Sequence, residues 1–345
     1  MTAMGSIPNI DDITVFPRLT SETVGMLPSG IRQLSPVRSR LLYSMQAVGL
    51  GVRLKPDIVY CGHAFMAPLA FLVARLGGAR LVSHVHGLEV WEPLSFMRRR
   101  ALALSDLILC VSNYTAAKVV EVTGVDPRRC KVIYNTIGES FTPGDRDTAR
   151  AKFNVPKDAV VIATVSRLDP RQRHKGHDRV IPLLRDLERD FPGLTYLVAG
   201  TGEDRPRLEV LARSTGADHI VRFLGFVADD DLPDLYRATD LYVMPSHGEG
   251  FGIAFVEALA CGTPALGLAI GGAVDALRDG EAGRAVPEAE FPAALRIALL
   301  ASPPDPAELA ARTRATFGRN ALYSRLSDAI SPLLCRLSGS VADSS

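Results

Sequence analysis

Two successive series of short apolar runs, each run followed by a helical pattern, set the narrowest limit on how this chain folds. In the first half, Ile13–Phe16, Asp57–Cys61, Arg80–Val85, Leu107–Val111 and Lys131–Tyr134 have strand character, with helical stretches such as Ser39–Val48 and Ala67–Leu76 between them. In the second half, strands are expected at Val160–Ser166, Leu194–Ala199, Ile220–Phe223, Leu241–Met244 and Pro264–Leu268. Helices fit between these at Arg179–Asp190, Arg205–Ser214, Leu232–Arg237 and Ala254–Ala260. Such alternation is the pattern of parallel α/β sheets. It predicts an α/β protein of two Rossmann-like, doubly wound domains facing a cleft, with ligands held beyond the carboxyl ends of the strands. The turn-rich segment from Gly138 to Pro156 reads as a linker containing one short helix.

Composition narrows the function classes. With 345 residues, 47% of them hydrophobic and 22% charged, the chain can bury two ordinary cores. No apolar run reaches the roughly 18–20 residues of a spanning helix. The start, Met1-Thr-Ala-Met-Gly-Ser-Ile-Pro, lacks the basic and apolar regions of a signal peptide, so the expected location is cytoplasmic. Five dispersed cysteines (Cys61, Cys110, Cys130, Cys261, Cys335) form no Cys-x-x-Cys pair and fit buried free thiols rather than a disulfide framework or zinc site. Residues 1–153 hold 18 basic side chains against 12 acidic, a net of +6, whereas the remainder holds 21 against 26, a net of −5. The basic half suits an anionic partner, such as a phosphorylated acceptor or an acidic membrane face, although scatter over two surfaces produces the same sums.

The most informative stretch runs from Pro245 through Glu249-Gly-Phe-Gly-Ile-Ala-Phe-Val-Glu257 to Pro264. A strand ends at Met244, a glycine-rich loop follows and a helix begins near Gly252. Gly250 and Gly252 let backbone approach a ligand, and the first N–H groups of the helix point outward unpaired, which favours a diphosphate. Glu249 precedes the helix and Glu257 lies about one and a half turns into it, so both carboxylates can face one cleft at different depths. A second group lies in Val165-Ser-Arg-Leu-Asp-Pro-Arg-Gln-Arg-His-Lys-Gly176. Here Arg167 falls just past a strand end and Lys175 precedes a helix, two cations placed to neutralise a departing diphosphate. Each feature alone has a plainer structural explanation: solvated loop cations, and a carboxylate stabilising a helix start.

Taken in order, Ser112-Asn-Tyr, Asn135-Thr-Ile, Phe141-Thr-Pro143, Ser166-Arg-Leu, Lys175-Gly, Ala199-Gly-Thr-Gly202, Phe223-Leu-Gly225, Glu249-Gly-Phe-Gly, Glu257-Ala and Gly262-Thr-Pro264 resemble glycosyltransferase family 4, over about residues 80–290. The resemblance implies the GT-B fold and retaining transfer of a hexose from a nucleoside-diphosphate sugar, GDP-mannose or a UDP-hexose, to a glycan or lipid-linked hydroxyl in cell-surface polysaccharide or glycolipid synthesis. It implies that Arg167 and Lys175 grip the donor diphosphate, that Gly250, Phe251 and Gly252 lie against the donor, that Glu257 binds the ribose and that Glu249 contacts the sugar. His86, in His86-Gly87 after the strand Arg80–Val85, would reach the donor sugar from the other domain, while His63 and His84 are expected to be structural. The implied division is an acceptor-side domain over residues 1–153, a donor domain over 154–320, and a helix over 321–345 returning to the first domain before a ragged tail. Neither a metal, a cofactor nor nucleic acid is expected. The Asp-x-Asp spacings at Asp145–Asp147 and Asp229–Asp231 would suit a metal-dependent transferase, but they are better explained as helix starts. Gly200-Thr-Gly202 lacks the third glycine of a dinucleotide fingerprint.

Trp91 and Phe96-Met97 beside Arg98-Arg99-Arg100 read as a basic, partly apolar helix that could rest on an anionic bilayer. The resemblance implies an opening strand, glycine loop and helix ahead of the equivalent of Ile13–Phe16, which this sequence does not show; either the start lies further upstream or the protein lacks the unit. Its absence predicts an open strand edge in the first sheet, and it admits a second class of function, a nucleotide-binding partner subunit without turnover. A nucleotide-sugar epimerase is a third.

Overall fold

The computed structural model describes residues 2–19, 27–278 and 283–339. The side chain of Cys335 and the tail beyond residue 339 lie outside the described residues. The chain divides into two compact units, Met1–Tyr134 with Arg319–Ser345, and Asn135–Gly318.

In the first unit, β1 (Ile13–Val15) and β2 (Ile31–Gln33) pair in parallel with each other. The strands β3 (Ile58–Cys61), β4 (Arg80–Val85), β5 (Leu107–Cys110) and β6 (Cys130–Val132) form a separate parallel sheet in the order β3-β4-β5-β6, so β3 stands at an edge. Successive residues of β4 and β5 serve opposite faces. Leu81, Val85, Ile108 and Cys110 enter one cluster, and Val82, Leu107 and Leu109 enter another. Burial on both faces is why β5, Leu-Ile-Leu-Cys, is continuously apolar rather than alternating. The second face is closed by the helix Arg319–Gly339, which supplies Leu326, Ala329 and Ile330.

The second unit holds β7 (Val161–Val165), β8 (Thr195–Ala199), β9 (Val221–Gly225), β10 (Leu241–Met244), β11 (Ala265–Leu268) and β12 (Gly283–Val286). They form one parallel sheet in the order β12-β11-β10-β7-β8-β9. From β7 the order runs outward through β8 and β9, then restarts at β10 on the other side. The boundary between β7 and β10 is therefore the topological switch point, and the crevice beyond their carboxyl ends is where such sheets take ligands.

The division falls after Tyr134, earlier than residue 153, because the supposed linker helix belongs to the second unit. That helix, Arg146–Lys152, packs on the helix Leu232–Arg237. Arg150 is only 1% exposed there, and its guanidinium donates to the carbonyls of Ala238 and Pro156 and to Asp240 Oδ2. Another difference is local. The helix expected over Arg179–Asp190 is broken into His177–Val180, a 3₁₀ turn at Ile181–Leu183, and Leu184–Asp190, with Pro182 lacking the N–H that an unbroken helix needs. Cys61, Cys110, Cys130 and Cys261 are free thiols.

Candidate functional site

The two loops that leave the switch point carry most of the predicted residues. After β7 the chain runs through Ser166 and Arg167; after β10 it runs through Pro245 to Gly252. Arg167 is exposed, and among the described residues its guanidinium forms no hydrogen bond or ion pair, its charge being felt by the nearby Asp169, so the switch point presents a cation open to a ligand. Lys175 and Glu249 are brought together: Lys175 Nζ lies 2.7 Å from Glu249 Oε1, with the two side chains 19% and 9% exposed. A backbone bond from His247 N–H to His174 O joins the same loops. The resemblance gave these residues to phosphate and sugar separately. In the structure they neutralise each other.

The second loop is held from behind by a part of the chain to which motif reading gave no structural role. Gly272 N–H donates to Glu249 O at 2.7 Å, and a Cβ on Gly272 would lie 2.1 Å from Gly250 O. Only a glycine allows that approach. Gly252 caps the helix Ile253–Ala260 in the left-handed region, φ 91°, and no side chain caps that helix start. Its first N–H groups are thus left for a ligand or water. Phe251, expected against the donor, is buried and packs edge-to-face on Phe317 at 5.5 Å. Its ring anchors the loop from the core side.

Glu249 and Glu257 do not share partners. Glu257 Oε2 accepts from Tyr236 OH at 2.9 Å, and burial raises its pKa. Both carboxylates lie near Tyr242, whose hydroxyl is pushed far up first by burial and then by these two charges.

His86 belongs to the first unit. Its backbone N–H donates to Glu89 Oε1 at 2.6 Å, and its Nε2 lies 2.9 Å from Gly62 O. That carbonyl contact fixes the imidazole within its own unit. His63 caps a 3₁₀ turn through its Nδ1. His84 Nδ1 lies 2.6 Å from Tyr60 OH, while its Nε2 is buried without a hydrogen-bond partner among the described residues. Burial pushes the His84 imidazole down to about 3. Asp145 acts as the helix start expected of it, accepting from the N–H of Asp147; Asp231 stands at the N-cap position of Leu232–Arg237 without a side-chain capping bond and pairs instead with Lys152 at 2.7 Å.

The description "Glycosyl transferases group 1" matches residues 145–316, and "Glycosyltransferase Family 4" matches residues 14–140. The chain belongs to glycosyltransferase family 4. Among its relatives in this family, a D-inositol 3-phosphate glycosyltransferase of Geodermatophilus obscurus is 36% identical over 235 residues, covering 65% of this chain and 48% of that protein. D-inositol 3-phosphate glycosyltransferase 1 of Catenulispora acidiphila is 33% identical, covering 74% and 66%. The chain thus spans about half to two thirds of these curated relatives. Among solved structures, Anabaena Alr3699/HepE in complex with UDP aligns with a TM-score of 0.71 at 22% identity, over 88% of this chain and 86% of that one. Sucrose-phosphate synthase from Thermosynechococcus elongatus aligns at 0.74 and 20%, over 94% and 89%. The fold of this family 4 chain is accordingly GT-B, with two parallel α/β units.

Proposed function

We propose that this chain is a retaining hexosyltransferase that takes its sugar from a nucleoside diphosphate, with Arg167, Lys175 and the start of the helix Ile253–Ala260 receiving the diphosphate. The observation that carries the reading is the convergence of an exposed arginine, the Lys175–Glu249 pair and an uncapped helix start at the β7/β10 switch point. Glu249 then faces the transferred sugar and Glu257 the ribose. No metal is needed, since the cations already neutralise the leaving diphosphate. The attack is on the face from which the diphosphate leaves, and a diphosphate oxygen takes the acceptor proton. Relatives named for D-inositol 3-phosphate, together with the basic first half, favour a phosphorylated polyol as acceptor over a glycan or lipid-linked hydroxyl. The aligned structures holding UDP and UDP-glucose favour a uridine donor over a guanosine one.

The test is calorimetric titration of UDP, GDP and ADP, followed by incubation of UDP-hexoses with inositol phosphates and NMR of the product. UDP is expected to bind most tightly, and the product to keep the donor's anomeric configuration. An inverted product, or no diphosphate binding at all, overturns the reading.

The proposed contact with an anionic bilayer gains a defined surface. Phe96 and Met97 are 70% and 67% exposed, and Phe65 joins them, with the Arg98 guanidinium 4.2 Å above its ring. Arg99 and Arg100 are exposed beside them. Trp91 is half-buried edge-to-face on Tyr114 and takes no part. Sedimentation with phosphatidylcholine vesicles containing phosphatidylglycerol should bring the protein down, and Arg98→Ala/Arg99→Ala/Arg100→Ala should lower partition on the order of a hundredfold. Equal sedimentation with neutral vesicles would rule out the charge-based contact.

A further inference from the structure

His177 has no part in the roles above, yet its imidazole lies between the segments that carry Arg167 and Lys175. It is 5% exposed. Its Nε2 is 2.9 Å from Ser166 Oγ, one residue before Arg167, and its Nδ1 is 3.0 Å from Tyr196 OH. Tyr196 OH in turn lies 2.8 Å from Thr164 Oγ1, whose hydrogen is committed to Val243 O.

Each hydroxyl has one proton, and this fixes every direction in the chain. Thr164 donates to Val243 O, so Tyr196 must donate to Thr164. The Tyr196 oxygen therefore accepts from His177 Nδ1–H. His177 Nε2 is left as an acceptor, and Ser166 Oγ–H donates to it.

We propose that His177 is a positioning residue for the donor diphosphate: by accepting from Ser166 it ties the strand end bearing Arg167 to the helix start behind Lys175. The inference rests on the reading that these two cations receive the diphosphate. The neutral imidazole accepts at Nε2; a protonated one would reverse this bond, with Nε2–H donating to Ser166 Oγ. Burial keeps it neutral, with an imidazole pKa of about 4. The charged groups around it oppose one another: Asp178 and Asp204 favour protonation, and Arg207 and Lys175 disfavour it.

The geometry of the amide side chains supplies the test. Glutamine places its carbonyl oxygen where Nε2 sits, whereas asparagine reaches only the Nδ1 position. UDP binding to the full chain is measured by calorimetry, with melting temperature alongside. His177→Ala and His177→Asn should each weaken UDP about tenfold, the scale of one lost hydrogen bond. His177→Gln should stay within about threefold of the parent. Ser166→Ala removes the same bond from the other side and should match His177→Ala, which keeps the test available if that variant fails to fold. Parent-like binding by Ser166→Ala or His177→Ala, or equal rescue by asparagine and glutamine, overturns the proposal. Arg167→Ala and Lys175→Ala separate the two levels. If both bind UDP as the parent does, the diphosphate reading falls and this one with it. If they lose binding while Ser166→Ala keeps it, positioning by His177 alone falls.

Discussion

An anion that takes Lys175 must compete with Glu249, a carboxylate that is itself buried. At 2.7 Å and 9% side-chain exposure, Glu249 depends on the lysine for compensation. Removing one partner of such a pair costs more than the pair contributes, because the other charge stays out of water. Lys175→Ala should therefore lose about 3 kcal/mol of stability in urea titration, besides its loss of UDP binding. Glu249→Gln should keep most of the stability and bind UDP as tightly as the parent or tighter, since it removes the competing charge, while turnover collapses. A Lys175→Ala protein as stable as the parent would show that the pair is solvated and the competition unreal. None of this was legible in the sequence, where the two residues lie 74 positions apart. Their identities were legible, because each sits in a short motif after a strand. Phe251 shows the opposite failure: the motif places it at the site, but whether its ring turns to ligand or to core depended on Phe317, far along the chain.

At the level of elements, the runs with three or more apolar residues declared themselves and the sparser ones did not. β4 and β10 occur over the residues their runs suggest: β10 is apolar throughout, and β4 buries Leu81, Val82 and Val85 although Arg80, Ser83 and His84 interrupt it. β2 and β12, with Ile31-Arg-Gln33 and Gly283-Arg-Ala-Val286, carry a charged residue each and only emerge through pairing with a neighbour. The helix Arg146–Lys152 was legible as a helix but not as a part of the second unit, because what binds it there is Arg150. The carbonyls of Ala238, Pro156 and Lys157 accept from that guanidinium, Ala238 being buried and the other two residues exposed. Arg150→Met keeps the apolar contact but leaves those carbonyls unpaired, while Asp240 retains Arg146. The expected cost is about 3 kcal/mol. Arg150→Lys should recover little of it, for one ammonium cannot copy the planar fork. Chemical denaturation measures both, and full recovery by lysine would mean that charge alone holds the helix.

Over the whole molecule, each unit contains a buried neutral histidine, and the two give the protein an acid limit. His84 in the first unit has its imidazole at about 3, and His177 in the second at about 4, both through burial. An unfolded histidine titrates near 6.5, so below that pH the unfolded chain binds protons that the folded chain refuses. Stability from these groups is complete above about pH 6.5 and is lost as pH falls toward the folded values. By pH 5 each has withdrawn about 2 kcal/mol. Glu257 works against this in the second unit: burial raises its pKa, so its protonation on acidification favours the folded state. His174 in the second unit is also held down by burial and opposes Glu257 there, so both units should lose stability between about pH 6.5 and 5. Hydrogen exchange resolves the units by peptide, with β4 and β5 reporting on one and β7 and β8 on the other. His84→Gln should flatten the slope only in the first set and His177→Gln only in the second. If both variants keep the parent's slopes, the acid limit lies in groups other than these two imidazoles.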